Sequence, residues 1–322
     1  ITKKDEADIA WGVKNRVDYF AISFVQNAKD MRRARELLGD YKGKLIAKIE
    51  KFDAVSNIDE IIEVSDGIMV ARGDLGIEVP YYDVPTIQKM LIKKSNAKGI
   101  PVITATQMLL SMTQNERATR AEISDVANAV LDGTDIVMLS EESAVGENPV
   151  NVVETMHNII KQTEKIFDHE KRYKFTYLDE FDVIQATVTK LADDLSADGI
   201  LSLTSSGNSA RKMSRYRPIT PLYTFAHDKE TLTGLTALWG VQPITTVKEA
   251  QASKMIQRML RSLEKREILN KKGLYICTVG YPVGIPGSTN TIKILTPSEI
   301  EFYLNFKENR EKIKTEKKVN LA

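Results

Sequence analysis

Short apolar runs alternate with amphipathic stretches from the first residues of the chain. Five runs, Val17–Phe24, Leu45–Glu50, Gly67–Gly73, Pro101–Thr106 and Asp135–Ser140, have the length and the Val, Ile and Phe content of buried strands. Between them, Ala28–Leu38, Val84–Lys98 and Thr119–Leu131 carry helical spacing, and Gly99 and Gly133 act as stop signals. The segment Val152–Phe167 repeats apolar residues at the same spacing through Val153, Met156, Ile159, Ile160, Thr163 and Phe167. Strand–helix alternation of this kind predicts a parallel sheet with helices outside it.

The stretch Asp168–Asp182 is charged and aromatic without a period, and it marks a boundary. A second alternating region follows. Val183–Leu195, Ala210–Tyr216 and Lys248–Glu264 read as helices, and Gly199–Ser205, Pro221–Phe225, Leu274–Gly280 and Thr291–Leu295 as strands. The expected organisation is an α/β region over 1–168, a linker over 169–182, a second α/β region over 183–296 and a polar extension over 297–322. A helical pattern runs from Ser298 to Lys312 in that extension.

Composition narrows the function classes. Of 322 residues, 42% are hydrophobic and 28% charged, the proportions of an ordinary soluble protein. Lys+Arg is 45 and Asp+Glu is 44, a balance that argues against nucleic-acid and membrane-surface partners. No run approaches the ~18 apolar residues of a membrane span. Cys277 is the only cysteine, so no internal disulfide forms, and its apolar run Leu274–Val279 predicts packing rather than catalysis. A cytoplasmic protein is expected. The first residue is Ile1 rather than Met, as in a processed or truncated chain.

Charge inside the predicted strands carries the chemistry. Side chains alternate along a strand, so Ile46, Lys48 and Glu50 are expected on one face. By the same rule Ile68, Val70, Arg72 and Asp74 share a face, and so do Val102, Thr104 and Thr106. Lys, Glu, Asp and Thr would then meet at one rim, and parallel α/β folds place active sites at the C-terminal strand ends. Two readings stay open on spacing alone. One is a structural salt-bridge network. The other is a site where two carboxylates hold a divalent cation, with phosphate oxygens filling its remaining positions. Gly73 and Gly76 would let backbone amides approach an anion. Arg72-Gly-Asp74 spells an adhesion tripeptide but falls at a strand end. There is no phosphate-loop or dinucleotide fingerprint, and His157, His169 and His227 stand too far apart for a zinc site.

Four segments resemble the pyruvate kinase family: Leu45–Val55, Gly67–Glu78, Ala105–Met108 and Thr119–Val130. The resemblance runs from about Ile1 to Leu295. It implies part of a (β/α)8 TIM barrel followed by a C-terminal α/β regulatory domain with a mainly parallel sheet. It implies transfer of a phosphoryl group from phosphoenolpyruvate to ADP, giving pyruvate and ATP in glycolysis. Glu50 and Asp74 match the ligands of Mg2+ (or Mn2+). Lys48 matches the lysine that steadies the phosphoryl group and the enolate. Thr106 matches the threonine implicated in enolate protonation. The backbone of Ala71, Gly73 and Asp74 matches the cradle for the substrate carboxylate, and Arg72 and Ser140 match positions lining the site. Thr204, Ser205, Ser206, Gly207, Asn208 and Ser209 match a loop that binds a phosphate of an allosteric effector, with Gly284–Thr291 as a second loop nearby. A homotetramer is implied, with Thr119–Val130 near one interface, and no nucleic acid or membrane partner.

The chain departs from the family pattern in three ways. The amino-terminal barrel strands, the lid domain and the K+ site fall outside this sequence, so Ile1–Ala322 alone is expected not to catalyse the reaction and an upstream segment is expected. Glu141 stands where the family usually has Gly, Ser143 where it has Thr, and Glu116 where it has Pro. The extension 297–322 continues past the family's usual end. The rival readings are an inactive effector-binding or scaffold fragment and another phosphoenolpyruvate- or pyruvate-handling barrel enzyme.

Overall fold

The computed structural model describes residues 1–169, 174–249, 251–280 and 289–305. Two compact units form, Ile1–Asp168 and His169–Ala322. Among the described residues no helix is long and apolar enough to cross a membrane.

The first unit holds β1 (Tyr19–Ile22), β2 (Lys44–Ile49), β3 (Gly67–Ala71), β4 (Val102–Ala105) and β5 (Ile136–Met138), all parallel and side by side in sequence order. Both faces of the sheet are apolar. Leu45, Ala47, Ile49, Ile68, Val70 and Val102 pack on the outer helices through Met31, Ala34, Leu38, Ile58, Ile61, Leu91 and Ile92. Ile46, Met69 and Ala105 form a second cluster on the other face with Tyr19, Ile103 and Met138. Full burial of each large aliphatic contributes about 1.5–3 kcal/mol, so the two-faced apolar pattern drives this layer.

The helices begin and end where local chemistry dictates. Asn27 caps Ala28–Leu38 and Thr119 caps Arg120–Asp132, each in a reciprocal capping box. Gly99 and Gly133 close Val84–Lys98 and Arg120–Asp132 in the left-handed conformation, at φ 70° and 96°. The helix Lys3–Lys14 has no counterpart in the periodicity, because only Ile9 and Gly12 are buried on it. In this unit the sequence-read strands are shorter in the structure, except β2, which is shifted by one residue to Lys44–Ile49. β2 stops at Ile49, β3 at Ala71 and β4 at Ala105, so Glu50, Arg72, Asp74 and Thr106 all lie beyond the strands that deliver them.

In the second unit, β6 (Gly199–Thr204), β7 (Leu222–Ala226), β8 (Val241–Thr246), β9 (Tyr275–Gly280) and β10 (Thr289–Leu295) form one sheet in the order β10-β9-β6-β7-β8. Only β10 runs antiparallel, against β9. β8 escaped the apolar pattern because it carries Gln242 and Pro243; it is an edge strand, where Pro is tolerated. The helix Glu180–Asp194 starts inside the stretch read as a linker. Its N-cap Asp179 and its Asp182 bond to Lys212 and Arg215 on the helix Asn208–Arg215. The helix Ala252–Lys265 buries Met255, Ile256, Met259, Leu260 and Leu263. Cys277 is fully buried in β9, and burial pushes its thiol up to about 12. The last described helix is Pro297–Leu304; the remainder of the Ser298–Lys312 pattern and most of the Gly284–Thr291 loop lie outside the described residues.

Candidate active site

Lys48 is the penultimate residue of β2, and register pairs it with Met69 on the inner, barrel-side face. Glu50 follows the strand end and is 1% exposed. The Lys48 ammonium lies 2.6 Å from Glu50 Oε1 and donates to Ser23 Oγ at 3.0 Å. Glu50 Oε2 accepts the backbone N–H of Phe24 at 2.6 Å. Ser23 and Phe24 close β1, so the neighbouring strand end supplies both partners. Phe24 has φ 54°, a left-handed conformation uncommon for a bulky residue.

The expectation that Arg72 and Asp74 share a strand face with Val70 is corrected. The chain turns into the helix Arg72–Glu78 directly after Ala71. Val70 faces the outer helices, whereas Lys48 and Met69 face inward, so strand alternation would have separated these groups. The early helix puts Asp74 in its first turn, exposed. Thr106 is likewise not carried by β4: it sits past the strand at φ 69°, followed by Gln107 at φ 53°. In that position Thr106 Oγ1 accepts the Gly73 N–H at 3.0 Å and donates to Ala105 O at 2.6 Å. The ends of β3 and β4 are thereby joined.

Arg72 explains how two consecutive non-glycine residues hold a left-handed turn. Its guanidinium donates to Thr106 O at 2.6 Å, to Gln107 O at 3.2 Å and to Ala105 O at 3.3 Å. Asp125, from the helix Arg120–Asp132, pairs with Nη1 at 2.6 Å. A planar fork suits this many acceptors, and a lysine would not replace it. Ser140 stands at the N-cap of the helix Glu141–Ala144, and its N–H donates to the buried Glu142 at 2.7 Å. The other oxygen of Glu142 accepts the Leu109 N–H at 3.1 Å, linking the loops that follow β4 and β5. Ser23, Phe24, Asp125 and Glu142 were not singled out in the sequence. Only Glu142 left a signal, as a carboxylate one residue past the run Asp135–Ser140 and Glu141.

Comparison with known proteins decides the family. The profile "Pyruvate kinase, barrel domain" matches residues 1–153, and "Pyruvate kinase, alpha/beta domain" matches 182–295. The chain belongs to the pyruvate kinase family. It is 42% identical over 307 residues to the pyruvate kinase of Geobacillus stearothermophilus, covering 93% of this chain and 52% of that protein. With that of Lactobacillus delbrueckii subsp. bulgaricus it shares 42% over 303 residues, 91% of this chain and 51% of the other. With that of Clostridium acetobutylicum it shares 41% over 301 residues, 91% and 64%. The chain thus spans about half the length of the first two relatives.

The acid residues at this rim are of the type that suits a hard cation whose shell is completed by other oxygen donors. Among the described residues no cluster of three or more His, Cys, Asp or Glu could hold an ion unaided. Glu50 and Asp74 make two oxygen donors, and magnesium is commonly held by one or two carboxylates plus phosphate oxygens and water. The buried Glu50 already keeps a cation, Lys48, against one oxygen, so its environment is built for positive charge.

In the second unit the segment Thr204–Ser209 joins β6 to the helix Asn208–Arg215. Thr204 Oγ1 accepts the Gly207 N–H at 2.9 Å, and Gly207 takes φ 84°, where a side chain would strain. Ser206 and Asn208 are exposed and Ser205 and Ser209 half-buried. Asn208 Oδ1 accepts from Arg211 at 2.8 Å, which brings a guanidinium to the loop. His169 and His227 each place Nδ1 on a backbone oxygen, of Arg217 and Val247, as capping groups.

Proposed function

We propose that this chain carries the phosphoryl-transfer site of a pyruvate kinase, which moves the phosphoryl group of phosphoenolpyruvate to ADP and yields pyruvate and ATP. The observation that carries the reading is the Lys48–Glu50 pair at the C-terminal end of β2, 2.6 Å apart and joined to the end of β1. Phosphoryl transfer asks for charge stabilisation and positioning rather than covalent help. Glu50 and Asp74 would hold Mg2+ or Mn2+, which when bound supplies positive charge to the phosphoryl and enolate oxygens. Lys48 adds an ammonium to the same oxygens. The substrate carboxylate takes the backbone at Ala71, Gly73 and Asp74, and in doing so takes the Gly73 N–H from Thr106. That frees Thr106 Oγ1 from one partner, and its hydrogen turns from Ala105 O toward the enolate side when it is needed. A threonine hydroxyl is too weak an acid to act alone, so it passes a proton through water. Arg72 has its donors committed to three carbonyls and Asp125, so it serves by holding the Thr106 turn, with Ser140 lining the site from the loop after β5.

The same reading extends to regulation and assembly. Thr204–Ser209 takes a phosphate group of an effector through hydroxyls and the amides that open the helix Asn208–Arg215. The protein associates as a homotetramer.

The decisive experiment is Lys48→Met in the natural protein, assayed for pyruvate formation, with circular dichroism to confirm the fold. Loss of a charge-stabilising donor predicts a drop of about 10²–10³-fold or more in kcat. Phosphoryl transfer at the wild-type rate would show that this site is not where the reaction happens.

A further inference from the structure

Both oxygens of Glu50 are already engaged. Oε2 holds the Phe24 N–H and Oε1 faces the Lys48 ammonium, each at 2.6 Å, on a carboxylate closed to solvent. The two partners differ in their freedom. The N–H belongs to a backbone fixed at φ 54° and cannot leave without refolding the strand end. The ammonium ends a flexible stem whose side chain is 24% exposed, so it can leave. A hard cation that binds Glu50 at Oε1 therefore comes up against the ammonium already lying there. An ammonium and a dication beside one oxygen also repel each other.

We propose that Lys48 and the divalent cation are alternative counter-ions of Glu50 Oε1. With a cation held at Oε1, Lys48 would leave its resting place between Glu50 and Ser23 and its ammonium would be free to reach the substrate phosphoryl group. The inference rests on the reading of Glu50 as a metal ligand. It adds that the position of Lys48 is set by whether the cation is present, which makes the lysine available only in the loaded site.

The test is Mn2+ binding to the natural protein without substrate, read from the paramagnetic resonance signal of the free ion. Four proteins are compared: wild type, Lys48→Met, Lys51→Met and Glu50→Gln. Lys48→Met should bind Mn2+ about tenfold more tightly than wild type, since its competitor is gone. Lys51 pairs with Glu78 at 3.0 Å, so Lys51→Met removes an equal charge without freeing Glu50 and should change the affinity by less than about twofold. Unchanged or weaker binding by Lys48→Met overturns the proposal, and so do equal gains in the two lysine variants. Lys48→Ala serves as a second variant if Lys48→Met does not fold. Wild-type Mn2+ affinity in Glu50→Gln would instead remove the metal-ligand reading on which the proposal stands.

Discussion

Glu50 and Asp182 are both buried carboxylates paired to a cation, one in each unit, and their surroundings are opposite in kind. Asp182 and Arg215 are 0% and 1% exposed at the side chain, and the bonds they make are to protein groups. Asp182 Oδ2 accepts from Arg215, from the Tyr216 hydroxyl at 2.9 Å and from the Leu178 N–H at 2.9 Å. Arg215 also donates to Thr176 O at 2.7 Å and packs over the Phe175 ring at 4.9 Å. Among the described residues Lys48 bonds to Glu50 and Ser23, and a quarter of its side chain meets solvent. A sealed pair closed to solvent on both sides can only hold structure together. A pair with one mobile, part-exposed member at a strand end can exchange partners. Burial of the carboxylate alone does not separate the two; the freedom of the cation does.

The largest effect is expected in the sealed pair. Asp182→Ala leaves the Arg215 guanidinium buried without its anion, which costs about 3–5 kcal/mol of stability. Urea denaturation followed by circular dichroism measures it, and no added metal ion should restore the loss. A cost below about 1 kcal/mol would put this pair in the same class as a surface bridge.

Lys48→Met should cost less, about 1–2 kcal/mol, because Glu50 keeps its Phe24 hydrogen bond. Saturating Mn2+ should return that stability through binding to the native state alone. Recovery in Lys48→Met and none in Asp182→Ala sharpens the contrast. Recovery in neither would make both pairs structural.

The sequence exposed one pair far better than the other. Lys48 and Glu50 stand out because charge interrupts an apolar run, and their pairing follows from strand alternation near a C-terminal end. Asp182 lay in a stretch without periodicity, and its partner sits 33 residues away, a contact that no local pattern encodes. The layered α/β architecture was legible because both sheet faces are apolar and most helices carry a stripe. Lys3–Lys14 and β8 were missed for lack of one. Arg72, Asp74 and Thr106 were placed at the correct rim by the wrong route. A helix that starts one residue after β3 and a left-handed turn held by Arg72 bring them there, and neither leaves a trace in hydrophobic spacing.

Asp179 and Lys212 lie between the two extremes, with side chains 40% and 8% exposed, and give the smallest and most discriminating effect. Burial pushes the Asp179 carboxyl up, but the Lys212 ammonium and the N–H groups of Asp182 and Phe181 outweigh it and hold the carboxyl below its ordinary value. A carboxyl depressed by folding stabilises the native state above its unfolded pKa of about 3.9, and that stability is lost as pH falls through the folded value. Lys212→Met keeps the stem over the Phe181 ring and removes the charge. The two backbone donors remain, so only part of the depression should vanish. At neutral pH the variant should be less stable by at most about 1 kcal/mol, given the exposure of Asp179. The gap from wild type should be constant above about pH 5 and narrow below about pH 4, where Asp179 protonates in both proteins. Urea midpoints measured from pH 3 to pH 7 read this directly. A gap that stays constant on acidification would mean that Lys212 acts through packing rather than through the Asp179 carboxylate, and exposure would then no longer rank the three pairs.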